Sequence, residues 1–345
     1  MPHNAVWISH SSQLSVKRIQ EQYNPHQAET LIKVAFSGIN PADLKHGKRM
    51  GIVDCVAGYD FSGTVVQAGP GSRFQVGDNV AGLTPALKPR PYKYGSHQDY
   101  MLAPDSMVFP VPTHMSMSLA ATLGVAMRTA TDALFCQLGL PDPGEDLDAP
   151  PGGLLIWGGA SGVGTAAIQL AAAVGVNPIV VTASPRNHEA LKKFGATHCV
   201  DYHDADVVGQ IQQLARELGT PLRLAFDTIG YVGTEHMADW CYRSCDDAAT
   251  VVTTIPHPRA LKCFATTANE LSLDTPAGKI TFPARVADAQ RTSRIVEWAV
   301  QNLRSLGMPP IRTVLGKDAI IKAIEESARG AASFEKVVVQ HEIDL

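Results

Sequence analysis

Residues 154 to 255 narrow the choice of fold most, because short, wholly apolar runs there alternate with stretches of helical spacing. The apolar runs are LLIW at 154–157, IVVTA at 179–183, HCVDY at 198–202, LRLAFDT at 222–228 and ATVVTTI at 249–255, and helical spacing fills 163–174, 187–194, 207–218 and 234–243. Strands that alternate with helices of about ten residues are what right-handed βαβ crossovers need. Strands apolar along their whole length suit a parallel sheet covered on both faces. The spacing predicts an α/β doubly wound domain with a parallel sheet.

A different pattern precedes it. LIKVAFSGI at 31–39, SGTVVQAG at 62–69, VGDNVAG at 76–82 and QDYMLAP at 98–104 read as short strands separated by turn residues, a compact β domain. Leu119, Leu123, Met127, Ala130, Leu134 and Leu138 then recur at helical spacing and predict one long helix over 118–138. PDPGEDLDAPPGG at 141–153 suits neither helix nor ladder and is a loop. Beyond the sheet, a helix at 288–305 and a strand, EKVVVQ at 335–340, are expected to return to the first domain. The 345 residues exceed the ~250–300 at which one core stops growing, which also indicates two domains. Their expected bounds are 1–131, completed by 286–345, for the β domain and 132–285 for the doubly wound one.

Composition excludes several classes. With 45% hydrophobic and 18% charged residues the chain is neither disordered nor fibrous. A net charge of −4 offers no field for a polyanion, so nucleic acid is not an expected partner. The six cysteines, at 55, 136, 199, 241, 245 and 263, form no CxxC pair and read as reduced core thiols. MPHNAVWISHSSQ has no basic start or apolar run of a signal peptide, and no uncharged apolar stretch reaches ~18 residues. A soluble cytoplasmic protein with no membrane partner is expected.

The first apolar run of the alternating region leads into Gly158-Gly159-Ala160-Ser161-Gly162-Val163-Gly164 and then a helix. A dinucleotide pyrophosphate needs a turn tight enough to approach and free amides at a helix N-terminus; Gly159, Gly162 and Gly164 can supply both, and Ser161, Gly162, Val163 and Gly164 are the candidate cofactor residues of this turn. Against G-x-G-x-x-G, Gly159 and Gly164 hold the first and third positions, while Ser161 stands at the second. Twenty residues after Gly164, where an NAD enzyme places a carboxylate for the ribose, stands Ser184-Pro185-Arg186-Asn187. Arg186 with Ser184 and Asn187 suits a 2′-phosphate, so the expected cofactor is NADP. Tyr202, ending the third strand, is a candidate neighbour of the adenosine.

Together with GINPADLKHG at 38–47, GYDFSGTVVQAG at 58–69 and VGDNVAG at 76–82, these residues resemble the medium-chain dehydrogenase/reductase superfamily, a GroES-like β domain followed by a Rossmann domain. The resemblance runs over essentially the whole chain. Asn-Pro-x-Asp resembles the quinone oxidoreductase branch; where the alcohol-dehydrogenase branch has Cys and Gly-His-Glu as zinc ligands, this chain has Asn40 and Gly58-Tyr59-Asp60. Residues 83–115 contain no Cys for a structural zinc. No metal is therefore expected, and hydride transfer to an activated double bond remains.

Within the zinc-free branch, Lys45, the Thr129-Ala130 pair and the Pro-rich 141–153 insertion resemble the trans-acting enoyl reductases of fungal polyketide synthases. The resemblance implies NADPH-dependent reduction of an α,β-unsaturated thioester on an acyl carrier protein in secondary-metabolite biosynthesis, by a monomer. It implies catalytic roles for Lys45 and Thr129, the latter also touching substrate. It further implies cofactor contacts at Ala42, Asp43, Leu44, Lys45, Thr254, Ile255, Ser333 and Phe334, and an acyl pocket lined by Leu271, Ser272, Leu273, Asp274 and Thr275. Two basic clusters, Lys45 with Lys48 and Arg49, and Lys88 with Arg90 and Lys93, are candidate docking surfaces for an acidic carrier. A free-standing quinone or enone reductase of small substrates shares every cofactor feature, and a dinucleotide-binding protein without activity shares the fold.

Overall fold

The computed structural model describes residues 2–145, 152–275, 278–330 and 334–344. The chain divides into two compact units, one made of Met1–Val125, Thr266–Ser293 and Pro310–Leu345, the other of Ala126–Ala265 and Arg294–Pro309.

The first unit is organised by the strand Glu29–Ile39, whose apolar and β-branched residues pair antiparallel with Asp60–Ala68, Tyr100–Pro104 and the C-terminal strand Lys336–Gln340. Ile32 and Val34 alternate inward and pack with Phe61, Val65, Val80 and Met101. At its other end Ile39 joins a second cluster with Val6, Ile8, Leu44, Ile320, Ile324, Val337 and Val339. That cluster seats two helices, Ala42–Met50 and Lys317–Arg329, of which the second was not anticipated.

The second unit is a parallel sheet of six strands in the spatial order His198–Val200, Ile179–Thr182, Gly153–Trp157, Leu222–Asp227, Thr250–Thr253 and Leu261–Lys262, the last an addition to the five expected. The first strand in sequence, Gly153–Trp157, thus lies between the second and the fourth. That is the topological switch point, the place outside the carboxyl ends of the strands at which open α/β sheets bind their ligands. Trp157 is in register with Thr182 and Asp227, and Asp227 with Thr253, so four strands end in one row. The helix Gly162–Ala173 is buried continuously from Gly164 to Ala171, as its nearly all-apolar sequence requires. The fold is a compact β domain plus a doubly wound domain with a parallel sheet, as the sequence pattern predicted, and it is the GroES-like and Rossmann pair that the resemblance implied.

The long helix expected over 118–138 is three pieces: Met117–Ala120, Gly124–Thr131 and a wider π-helical turn, Asp132–Gln137. Its interruption has a local cause. Asp60 Oδ1 accepts the Val125 N–H at 2.6 Å, restarting the helix, and a Cβ on Gly124 would stand 2.5 Å from the Gly82 carbonyl oxygen. Of the 141–153 insertion, Asp142–Glu145 form a turn closed by the Glu145 N–H donating to the Asp142 carbonyl; residues 146–151 lie outside the described residues. No helix among the described residues is long and apolar enough to cross a membrane.

Candidate active site

Gly158 turns the chain at φ +88°, a conformation natural only to glycine, directly after the first strand of the parallel sheet. The turn then folds back tightly. A Cβ on Gly159 would lie 2.0 Å from Val181 Cγ1, and one on Gly164 would lie 2.4 Å from the Gly158 oxygen and 2.7 Å from Gly159 Cα. Ser161 caps the helix, its Oγ accepting the Gly164 N–H at 2.9 Å and meeting Thr228 Oγ1 at 2.9 Å. Thr228 in turn reaches the carbonyls of Trp157 and Gly158, both at 2.9 Å, so the fourth strand braces the turn. As the first two helical residues, Gly162 and Val163 have amides with no carbonyl a turn behind them, and no acidic residue stands in that first helical turn. These features fit a diphosphate: backbone donors, the positive end of a helix, and no side chain to obstruct it.

After the second strand, Pro185–Asn187 form a short turn of helix, with Arg186 exposed and without an ion-pair partner among the described residues. Ser184 is buried and donates to the Tyr202 hydroxyl at 3.4 Å, and Tyr202 is stacked on His203. Asn187 is only 5% exposed, yet its Nδ2 lacks a hydrogen-bond partner. Such an orphan donor costs ~1–3 kcal/mol unless a ligand supplies an acceptor. Thr254 and Ile255 follow the fifth strand; Thr254 N–H donates to the Asp227 carbonyl at 3.2 Å, and Ile255 packs over Gly230. The structure thus gathers Ser161–Gly164, Ser184–Asn187, Tyr202 and Thr254–Ile255 at one edge of one sheet. Thr129, also in this unit, is buried within Gly124–Thr131, between Arg128, whose Nε donates to the Ala265 carbonyl at 3.0 Å, and Asp132, whose Oδ2 accepts the Phe264 N–H at 2.8 Å.

The first unit holds the other predicted residues. Of Ala42–Lys45, Asp43 and Leu44 turn their side chains inward: Asp43 Oδ2 accepts the Asn40 N–H at 2.8 Å and meets His97 Nε2 at 3.2 Å, and Leu44 sits in the core. Ala42 and Lys45 stay partly exposed, and burial followed by the charge of Arg49 pushes the Lys45 ammonium below its ordinary pKa. Phe334, at φ +53°, precedes the strand Lys336–Gln340; Ser333 lies outside the described residues. Segment Leu271–Thr275 forms a hairpin with Gly278–Phe282, with Leu273 opposite Ile280, Asp274 opposite Lys279, and Ser272 Oγ 2.9 Å from Thr281 Oγ1. Lys45 and Thr129 belong to different units.

Two features were invisible in the sequence. In one, Lys336 Nζ donates to Asn40 Oδ1 at 2.9 Å while Asn40 Nδ2 donates to Asp60 Oδ2 at 2.8 Å, so an amide bridges a buried ammonium and a buried carboxylate. Burial lifts the Asp60 carboxyl to about 6 and lowers the Lys336 ammonium. In the other, Asp43 is joined through His97, Ser37 and His341 to Asp99 by contacts of 3.2, 2.8, 2.9 and 3.0 Å. Asn40, Tyr59 and Asp60, which stand where the resemblance places zinc ligands, are a poor set for that metal. Asn40 is engaged by Lys336 and Asp60, and Tyr59 bonds His46 at 2.9 Å beneath the Arg90 guanidinium.

One expectation is corrected. Arg90 is not a docking cation: it is 5% exposed and donates to the carbonyls of Val56, Gly58 and Tyr94 and to Thr84 Oγ1. Lys93 is held by Glu29 at 3.3 Å. The cluster at 88, 90 and 93 is largely spent inside the unit.

Residues 26–113 match the alcohol dehydrogenase GroES-like domain family and residues 162–273 the zinc-binding dehydrogenase family. The chain belongs to the medium-chain dehydrogenase/reductase family. Curated relatives include the trans-enoyl reductase resD of Aspergillus sclerotiorum, 30% identical over 86% of this chain and 88% of that protein. The trans-enoyl reductase ccsC of Aspergillus clavatus is 30% identical over 90% of this chain and 88% of that protein. A trans-enoyl reductase of Gibberella fujikuroi is 32% identical over 67% of this chain, which spans 64% of that protein's length, under two-thirds. Among solved structures, an alcohol dehydrogenase superfamily protein from Novosphingobium aromaticivorans (TM-score 0.76, 21% identity, 99% of this chain and 100% of that one) and the CurK enoyl reductase (TM-score 0.69, 21% identity, 99% of both) share the fold.

Proposed function

We propose that the chain is an NADPH-dependent, zinc-independent enoyl reductase that acts in trans, reducing an α,β-unsaturated thioester on the acyl carrier protein of a polyketide synthase, as a cytoplasmic monomer. The first unit, Met1–Val125 with Thr266–Ser293 and Pro310–Leu345, serves as the substrate domain and the second, Ala126–Ala265 with Arg294–Pro309, as the nucleotide domain. The observation that carries this reading is the Gly158–Gly164 cradle followed, across the next strand, by Arg186 with the unsatisfied Asn187 amide and no carboxylate among Ser184–Asn187. The relatives named trans-enoyl reductase support the reaction.

When bound, the dinucleotide supplies the hydride that reduces the β-carbon. The π electrons of the double bond then move onto the thioester oxygen as an enolate, and a proton adds at the α-carbon. Lys45, or the Thr129 hydroxyl, stabilises the enolate oxygen, where a single donor is worth ~2.7–4 kcal/mol. A lowered ammonium pKa brings Lys45 closer to giving up a proton at neutral pH. Carbonyl polarisation by zinc is not needed, because the acceptor is already electrophilic. The test follows NADPH absorbance with a carrier-bound enoyl thioester and, in parallel, a small enone. Faster turnover of the carrier-bound substrate is expected; turnover of the enone alone points to a small-molecule reductase and overturns the assignment.

A further inference from the structure

Of the four residues that end strands in one row of the second unit, Thr182, Trp157, Asp227 and Thr253, only Asp227 is acidic, and it is 0% exposed. A buried carboxylate is costly unless donors surround it, so the direction of its oxygens is informative. Oδ1 accepts the N–H groups of Ile229 and Gly230, both at 2.9 Å, and Oδ2 accepts the Thr253 hydroxyl at 2.9 Å. The main-chain carbonyl of Asp227 accepts the Thr254 N–H at 3.2 Å. His236 Nδ1 stands 3.6 Å from Oδ2, but it already accepts the Ala238 N–H at 3.1 Å and has no proton to give. One residue thereby holds both the loop after its own strand and the loop after the fifth strand.

The two loops lead to different parts of the candidate cofactor site. In the first, Thr228 braces the turn at Gly158 and Ser161, and Ile229 lies over Gly158, where a Cβ would stand 2.4 Å from Ile229 Cγ1. In the second, the Ile255 N–H donates to Thr253 Oγ1 at 3.3 Å. A carboxylate only accepts, so the Thr253 hydroxyl gives Asp227 its proton and keeps its lone pairs for Ile255. Asparagine at 227 would keep an oxygen for the two amides but turn its NH2 group on Thr253, breaking that sequence of donors.

We propose that Asp227 and Thr253 are positioning residues for the nicotinamide end of the dinucleotide. Both are fully buried, so they act through the Thr254–Ile255 segment, which they hold against the half of the cofactor that carries the hydride, and Asp227 ties that segment to the phosphate turn. This rests on the cofactor reading above and adds what keeps the reactive end in place.

The test compares NADPH with 2′-phospho-ADP-ribose, which keeps the adenosine, the 2′-phosphate and the diphosphate but lacks nicotinamide, by calorimetric titration of wild type, Thr253→Val, Thr253→Ser and Asp227→Asn. Valine keeps the β-branched shape of threonine without its hydroxyl. Thr253→Val and Asp227→Asn are each expected to weaken NADPH binding about tenfold and to leave binding of the fragment unchanged, and Thr253→Ser, which keeps the hydroxyl, should bind both like wild type. A role in stability alone would not separate the two ligands. Equal losses on NADPH and the fragment, NADPH binding unchanged in both variants, or a Thr253→Ser as weak as Thr253→Val overturns the positioning role while the cofactor reading stands. Wild type that binds neither ligand overturns the cofactor reading and this inference with it. If Thr253→Val does not fold by circular dichroism, Asp227→Asn, isosteric with the native residue, decides the same question.

Discussion

Replacing Lys336 with Met probes the buried bridge at the heart of the first unit. Met has similar volume, so the loss is electrical rather than a cavity. The Lys336–Asn40 hydrogen bond, 2.9 Å from a charged donor, is worth ~1.5–3 kcal/mol. Removing the ammonium also leaves Asp60, 0% exposed, without its cation, which brings the expected destabilisation to ~3–5 kcal/mol near pH 8. The cost depends on pH in a definite direction. Burial already raises the Asp60 carboxyl from 3.8 to about 6, and losing Lys336 removes the charge that holds it down. A carboxyl with a raised folded pKa contributes stability that is complete below its unfolded value and is lost as pH climbs through its folded value. Lys336→Met should therefore cost most at ~pH 8 and clearly less at ~pH 5, where Asp60 takes up its proton. Urea unfolding followed by circular dichroism at both pH values measures this, with Lys336→Met/Asp60→Asn closing the cycle and recovering more than half of the loss. Equal destabilisation at the two pH values, with no recovery in the double variant, would refute a coupling between Lys336 and Asp60.

Lys45→Ala should lower kcat on an enoyl thioester about a hundredfold, read by steady-state kinetics at saturating NADPH; unchanged kcat removes Lys45 from the reaction. Gly164→Ala drives a methyl to 2.4 Å from a backbone oxygen, and the turn must open: a loss of ~1–3 kcal/mol in stability and of NADPH binding, checked by denaturation and titration. Ser37→Ala removes the hydroxyl between His97 Nδ1 and His341 Nε2 and leaves both ring nitrogens buried without that partner, at a cost of ~1–3 kcal/mol in unfolding free energy by urea denaturation.

Much of the second unit was legible because its strands are buried on both faces and read as unbroken apolar runs, and because Gly158–Gly164 is a local motif whose geometry its own residues dictate. The first unit was legible as short strands but not as a polar core. Asp60 and Lys336 are far apart in the chain, and no local pattern connects them; only the pairing of Lys336–Gln340 with Glu29–Ile39 brings the ammonium to Asn40. Arg90 misled because arginines usually face water, whereas this one is stacked on Tyr59, 4.1 Å from guanidinium carbon to ring centre. The interruption before Gly124 was hidden for the same reason: apolar spacing runs through it, and the carboxylate that restarts the helix belongs to a strand of the β sheet.

Calorimetric titration of wild type and Arg186→Ala with NADPH and with NADH tests the central claim most directly. The cradle and the turn after the second strand predict that wild type prefers NADPH and that Arg186→Ala weakens NADPH binding about ten- to a hundredfold while leaving NADH binding unchanged. Wild type that binds neither dinucleotide, or that holds both equally whether or not Arg186 is present, would contradict it.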